Sequence, residues 1–234
     1  MSELWLGGPE YAFAGAFPVT TDSVLLADFA RVRPGSRVLE LCCGAGLISL
    51  LLMARAPRLD VLAVELDEAA AALARENFAA NGMAARVVCG DLRDAAVLPE
   101  ANSVDFVVCN PPYFAANSGK TAPDRPRAVA RSESECTLAD VARAAARSLR
   151  QGGRLALVHR SERLAEVFAA LAAERLEPKR LRFVQHRPGS APGLFLCEAV
   201  RLGRPGLTVE APLVLCGEDG RESDEFRRIY HLGG

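Results

Sequence analysis

Asn110-Pro111-Pro112-Tyr113 gathers a carboxamide, two tertiary amides and an aromatic face in four consecutive residues. It closes a short apolar run, Val104-Asp105-Phe106-Val107-Val108-Cys109, that reads as a buried strand. Proline has no N–H to give to a ladder, so the strand ends there and passes into a fixed turn. Such a turn suits a planar substrate bearing an NH2 group. The Asn110 oxygen and a proline carbonyl can accept its two N–H bonds, and Tyr113 can stack on its ring. The same four residues would also serve as an ordinary Pro-rich turn, so their meaning depends on what stands upstream.

Upstream, three strands end in acids. Arg37-Val38-Leu39-Glu40-Leu41 reads as the first strand and runs into Cys42-Cys43-Gly44-Ala45-Gly46, where the glycines let backbone approach a ligand and open a helix. A nicotinamide dinucleotide fingerprint would place more glycine where Leu47 and Ser49 stand. Glu40 before the turn would repel a pyrophosphate, but it could hold a cationic amino acid moiety. This favours S-adenosyl-L-methionine over NAD. Glu65 ends the second strand about 20 residues beyond the glycines, the spacing of an acid that binds ribose hydroxyls. Asp91 follows the third strand in Cys89-Gly90-Asp91-Leu92, where it can accept from an adenine amino group while the Leu92 amide donates to the ring. Singly, each acid could be a strand-end charge, a solvated side chain or a helix cap. Together, with Asn110 after the fourth strand, they converge on one cleft edge.

The elements that would carry these residues alternate. Asp22 is read as the cap of a helix to about Arg31, ended by Pro34-Gly35. Helices follow over Leu47–Ala56 and from Asp67 to Asn81, between strands at Leu59–Val64, Ala85–Cys89 and Val104–Cys109. Thr137-Leu138-Ala139-Asp140 resembles a capping box for a helix reaching Leu149 and stopping at Gly152-Gly153. A fifth strand is expected at Leu155–His159, a helix through Leu164, Val167, Phe168 and Leu171, and strands near Leu181–Gln185 and Leu194–Val200. A short apolar run at Leu213–Leu215 and a final helix near Glu222–Tyr230 complete the chain. The segment from Ala115 to Glu135 has little periodicity and reads as a long loop, of a length that is usually functional or disordered, with Ala115 to Arg127 expected to be mobile without substrate. This pattern predicts an α/β fold: a mostly parallel sheet with helices on both faces, with ligands beyond the carboxyl ends of its strands.

Composition sets the bounds. The 234 residues fit one domain, and half of them are hydrophobic, enough for a sizeable core. Lys plus Arg is 28 against Asp plus Glu 29, so any nucleic-acid binding must come from a local basic patch. Lys179-Arg180-Leu181-Arg182 is the best candidate, and Lys120, Arg125, Arg127 and Arg131 add charge to the long loop. The start, Met1 to Gly15, lacks the n-region and h-region of a signal peptide, and no apolar stretch reaches about 18 residues without charge. The seven cysteines read as reduced thiols of a cytoplasmic protein, and Cys42-Cys43 has no CxxC partner to make a metal site.

The order of motifs, E-x-C-x-G-x-G, V-E-L-D, G-D-L and N-P-P-Y-F, resembles the amino-methylating class I S-adenosylmethionine-dependent methyltransferases. Among these the chain resembles the bacterial tRNA1(Val) adenine-37 N6-methyltransferase family. That narrower resemblance rests on Phe17 to Phe29 with Thr21-Asp22-Ser23-Val24-Leu25-Leu26, on Ala130-Arg131-Ser132-Glu133, on Gly153 to Arg160, and on the tail from Ala211 through Tyr230. It implies a Rossmann-like seven-stranded sheet and one domain over 1–234, with 1–34 covering the cleft. It implies cofactor contacts from Asp22, Glu40, Cys42, Gly44, Gly46, Glu65, Leu66, Asp91, Leu92 and Asn110, and a catalytic segment of Asn110, Pro111, Pro112 and Tyr113. Phe114 suits either a stacking or a core role. The implied reaction is direct transfer of a sulfonium methyl to adenine N6 in tRNA, by a monomer or weak dimer without metal or membrane. Cys42 replaces the family's first glycine, which fits if the backbone there has negative φ. Ser132 replaces a histidine of the A-R-H-E segment.

Alternatives share the N-P-P-Y motif. A protein glutamine N5-methyltransferase would use the same Asn110 site but usually carries a helical N-terminal substrate domain, for which the residues before the first strand are too few. Amino methyltransferases acting on rRNA or DNA also carry the motif. A non-catalytic cofactor-binding RNA module would not need Asn110–Tyr113 intact.

Overall fold

The computed structural model describes residues 2–13, 18–112 and 136–232. The expectations that fall on Tyr113, Phe114 and the loop with Lys120, Arg125, Arg127, Arg131 and Ser132 lie outside the described residues. An N-terminal hairpin, β1 (Ser2–Glu3) and β2 (Glu10–Tyr11), precedes α1 (Thr21–Phe29). The central part runs β3 (Arg37–Leu41), α2 (Leu47–Arg55), β4 (Asp60–Glu65), α3 (Glu68–Ala80), β5 (Ala85–Cys89) and β6 (Val104–Cys109). Then come α4 (Leu138–Ser148), β7 (Leu149–Arg160), α5 (Leu164–Ala173), β8 (Leu176–Gln185), β9 (Leu194–Arg201), β10 (Thr208–Val209), β11 (Leu213–Val214) and α6 (Asp224–Ile229).

The main sheet has the order β10-β8-β9-β7-β6-β3-β4-β5, with β11 also on β8. β3 to β7 are mutually parallel, and β9 is antiparallel to both of its neighbours. The seven expected strands are β3 to β9. The sheet is larger than expected because two further two-residue strands pair with β8. Chain order reverses across β3: the chain builds outward to β4 and β5, then returns to β6 on the other side. Crevices for ligands open at such a reversal, beyond the carboxyl ends of the strands.

Side-chain alternation assigns the two faces. Val38, Val61, Ala63, Phe106 and Val108 join α1, α2 and α3 in one core cluster. Leu39, Leu41, Leu62, Val64, Val107 and Cys109 join α4 and α5 in the other. Continuing the two-residue period puts Glu40, Glu65 and Asn110 on the α1–α2 side, where each strand leaves the sheet.

Local details differ from the sequence reading in three places. The cap of α1 is Thr20, whose hydroxyl accepts from the Ser23 amide; Asp22 lies inside the first turn. Strand β7 begins at Leu149, not at Leu155, because the helix gives way directly to strand. Gly152 at φ 76° and a register shift between Val104 and Phe106 absorb the irregularity that looked like a loop. Cys42 has φ 56°, so the negative φ on which its fit at the family's glycine position depended is absent, and a Cβ-bearing residue occupies the left-handed region at the tip of β3. The Thr137 capping box is present, with the Thr137 and Asp140 side chains each accepting from the other's amide.

Candidate active site

A cavity of about 470 Å³ opens at the carboxyl ends of β3 to β6. Glu40, Cys42, Gly44, Glu65, Leu66, Asp91, Leu92, Asn110 and Pro112 all line it. Asp22 and Gly46 do not. Gly46 serves the local turn instead: it has φ 80°, and a Cβ there would lie 2.6 Å from the Phe78 ring. Pro111 is not part of the lining either, although Asn110 and Pro112 beside it are.

Glu40 is fully buried. One carboxylate oxygen, Oε2, accepts from the Ser49 amide at 3.0 Å, while Oε1 has no hydrogen-bond partner among the described residues. Burial pushes its pKa up to about 8. Glu65 uses Oε2 to accept from the Gly44 amide at 2.8 Å and Oε1 to accept from the Asp67 amide at 3.0 Å. These bonds brace the turn after β3 against the tip of β4, while burial raises its pKa. Asp91 accepts from the Arg93 amide and from its guanidinium at 2.9 Å, and that pairing holds its pKa below the usual carboxylate range. Contact with the Cys109 thiol, together with burial, holds the Cys42 thiol well above the ordinary cysteine value, so the cavity wall there is neutral.

The Asn110 carboxamide is polarised by its surroundings. Its Nδ2 donates to Ser23 Oγ at 3.0 Å, and its Oδ1 is buried with no hydrogen-bond partner among the described residues. Two buried acceptor atoms, Glu40 Oε1 and Asn110 Oδ1, thus belong to side chains of one cavity wall. An acceptor buried without a donor is costly, so such atoms mark a place where a ligand's donors belong.

Several lining residues escaped the sequence reading. Tyr11, Pro18, Thr20, Ser23 and Cys136 all face the cavity. Tyr11 reaches it because α3 holds the N-terminal strand. Asn77 Oδ1 accepts from the Ala12 amide at 2.8 Å, and Asn81 Oδ1 accepts from the Glu10 amide at 2.8 Å. Asn77 also donates to the Ala45 carbonyl at 2.9 Å, tying this strand to the glycine turn. In the sequence Asn81-Gly82 reads as a helix stop, and nothing local reveals the partner of Asn81 71 positions away.

The basic run on β8 is placed elsewhere and is engaged within the protein. Arg180 donates to Glu210 at 2.8 Å and to the fully buried Glu198 at 3.3 Å, and lies 4.1 Å over the Phe29 ring. Arg182 is bidentate on Glu225, at 2.8 and 2.7 Å. Lys179 donates to the Arg204 carbonyl at 3.2 Å. The structure does not bring these three residues to the cavity: Arg180 and Arg182 are largely buried ion-pair partners, contrary to the expectation of a free basic patch.

Residues 18–175 match the family model of the methyltransferase small domain. A tRNA1(Val) (adenine(37)-N6)-methyltransferase from Tolumonas auensis is 35% identical over 214 residues, 90% of this chain and 87% of its own length. A 4-amino-L-phenylalanine/4-methylamino-L-phenylalanine methyltransferase from Streptomyces pristinaespiralis is 40% identical over 165 residues, 66% of this chain and 55% of its own. Among solved structures, one described as a predicted O-methyltransferase from Agrobacterium tumefaciens superposes with a TM-score of 0.75 at 22% identity, covering 90% of this chain and 96% of its own. That likeness concerns the fold. The strand reversal at β3, the cavity beyond it and the family match together make the protein a class I methyltransferase of the small-domain type. The chain belongs to the tRNA1(Val) (adenine(37)-N6)-methyltransferase family.

Proposed function

We propose that the protein transfers a methyl group from S-adenosyl-L-methionine to the N6 amino group of an adenine in tRNA, with adenine 37 of tRNA1(Val) as the specific target. The observation that carries this reading is the Asn110 carboxamide, part of the cavity lining, whose Oδ1 is buried and has no partner among the described residues. The cofactor supplies an electrophilic methyl on a sulfonium. Glu40 Oε1 suits its ammonium group, being a buried acceptor with no donor among the described residues. Glu65 is suited to the ribose hydroxyls: each oxygen already accepts one backbone N–H and keeps further lone-pair capacity. Asp91, kept ionised by Arg93, suits an adenine amino group, and the Leu92 amide suits the ring.

The target amine's lone pair is delocalised into its ring. Acceptors on both N–H bonds, Asn110 Oδ1 and the Pro111 carbonyl, favour the pyramidal nitrogen that develops as the new bond forms. No strong base is required before attack, because the proton becomes acidic only as charge develops. Alignment of the nitrogen with the methyl supplies most of the acceleration. The segment before β3 covers the cleft, a role supported by Tyr11, Pro18, Thr20 and Ser23 in its wall. The Streptomyces relative is named for an amine on an aromatic ring, so it poses the same chemical problem to its site.

Incubation of bulk tRNA with the protein and cofactor, followed by nuclease digestion and mass spectrometry, tests the proposal. N6-methyladenosine mapped to position 37 of tRNA1(Val) is expected. Methyl incorporation into a free aromatic amine, with none in tRNA, would overturn it.

A further inference from the structure

A carboxamide has two ends of nearly equal shape, and only one of them can accept the N–H of a substrate amine. The orientation of Asn110 is therefore a functional variable, and no hydrogen bond from the described residues of the turn fixes it. The fixing contact comes from another element. Asn110 Nδ2 donates to Ser23 Oγ at 3.0 Å, from β6 to α1 across 87 positions of chain. Ser23 is itself held: its side chain is buried, its amide donates to Thr20 Oγ1 at 3.4 Å, and the two hydroxyl oxygens lie 3.0 Å apart. Thr20 is the cap of α1, so the helix terminus and the hydroxyl pair form one rigid unit.

We propose that Ser23 is a positioning residue for methyl transfer: it accepts the Asn110 N–H and so turns Oδ1 toward the substrate amine. This rests on the function proposed above. Without Ser23 Oγ, the Nδ2 group would lose the acceptor it has among the described residues. It would gain by rotating into the cavity, where it would present donors to a donor. Substrate would then have to be met by a minor, correctly turned population. Because the effect runs through Asn110, it vanishes when Asn110 is gone.

A double-mutant cycle tests this, with single-turnover rates for wild type, Ser23→Ala, Asn110→Ala and the double variant, each measured below its melting transition. Ser23→Ala is expected to slow methyl transfer roughly tenfold, the worth of about one hydrogen bond. Cofactor affinity by calorimetry should stay within about twofold, because the carboxamide, not the cofactor grip, is disturbed. Ser23→Thr, which keeps the oxygen, should restore most of the rate. In the Asn110→Ala background, the Ser23→Ala step should cost nothing further. In the cofactor-free protein, the Asn110 carboxamide protons, followed by 15N-resolved NMR, should exchange faster in Ser23→Ala. A full, additive loss from Ser23→Ala in the Asn110→Ala background would overturn the inference, as would a wild-type rate for Ser23→Ala beside a slow Asn110→Ala. An unchanged rate for Asn110→Ala itself would instead overturn the function on which the inference rests.

Discussion

The cavity end of β3 to β6 and the flank of β8 both bury charged or polar side chains, and they do so on opposite terms. Along β8 the charges complete one another. Glu198 is fully buried, yet it meets Arg154 and Arg180; Glu210 meets Arg31 and Arg180; Glu225 meets Arg182 and Arg228. At the cavity, Glu40 and Asn110 each keep one acceptor without a donor among the described residues. The first arrangement is structural, because removing a member leaves a charge exposed to low dielectric. The second holds back capacity that only a ligand completes. Polar groups inside a fold thus separate by whether their hydrogen-bonding capacity is already filled.

The largest effect that sharpens this contrast is expected from Glu40→Gln. Loss of the buried charge should weaken S-adenosyl-L-methionine binding by roughly 10–100-fold in calorimetric titration, since a charge-assisted hydrogen bond becomes a neutral one. The fold should not suffer. Burial raises the Glu40 pKa from 4.5 to about 8, so the folded state prefers the protonated form. Wild-type stability is therefore unaffected by this group below pH 4.5, falls as pH rises toward 8, and levels off above. The Gln variant should consequently match the wild type in acid and melt higher at pH 8. A lower melting temperature at pH 8 would place Glu40 with the structural charges instead.

On the other flank, Arg180→Met should cost about 2 kcal/mol of stability in denaturant titration, since Glu198 keeps only Arg154. Methyl-transfer rate and the salt dependence of tRNA binding should be unchanged. A salt slope reduced by about one would mean that Arg180 meets a phosphate, and the two regions would no longer divide as described.

A smaller effect is expected from pH. If the cofactor's cation needs ionised Glu40, binding near pH 7 releases a proton, and affinity rises with pH by at most about tenfold per unit before flattening near 8. Calorimetry in buffers of different ionisation enthalpy reads the proton directly. Equal apparent enthalpies in all buffers would contradict the pairing.

What the sequence carried to the fold and the site follows the range of the interactions involved. β3 to β6 were readable because each is a short apolar run ended by Gly, Pro or an acid, and the acids sit at strand tips by the same pattern. Asp67 and Thr137 were readable as caps because their hydrogen bonds close within three residues. Asp22 was misread because Thr20, two residues earlier, competes for the same role and wins by bonding Ser23. The fate of Arg180 and Arg182 could not be read locally: their acids stand 18 to 43 positions away, and a basic run looks identical whether solvated or paired. The φ of 56° at Cys42 could not be read locally either, since the turn it opens is braced from the neighbouring strand, where Glu65 accepts from the Gly44 amide. Ser23 was quoted within a helix motif, but its bond to Asn110 exists only once α1 lies over β6.

The central claim is that Asn110 serves the reacting amine and not merely the turn. Asn110→Ala, followed by single-turnover methyl transfer to tRNA beside a thermal melt and a cofactor titration, tests it most directly. The expected result is a rate constant lowered by at least about 100-fold with cofactor affinity nearly intact, because the lost acceptor matters most as charge develops on the nitrogen. A lower melting temperature with an unchanged rate constant would contradict the account and leave Asn110 as a turn residue.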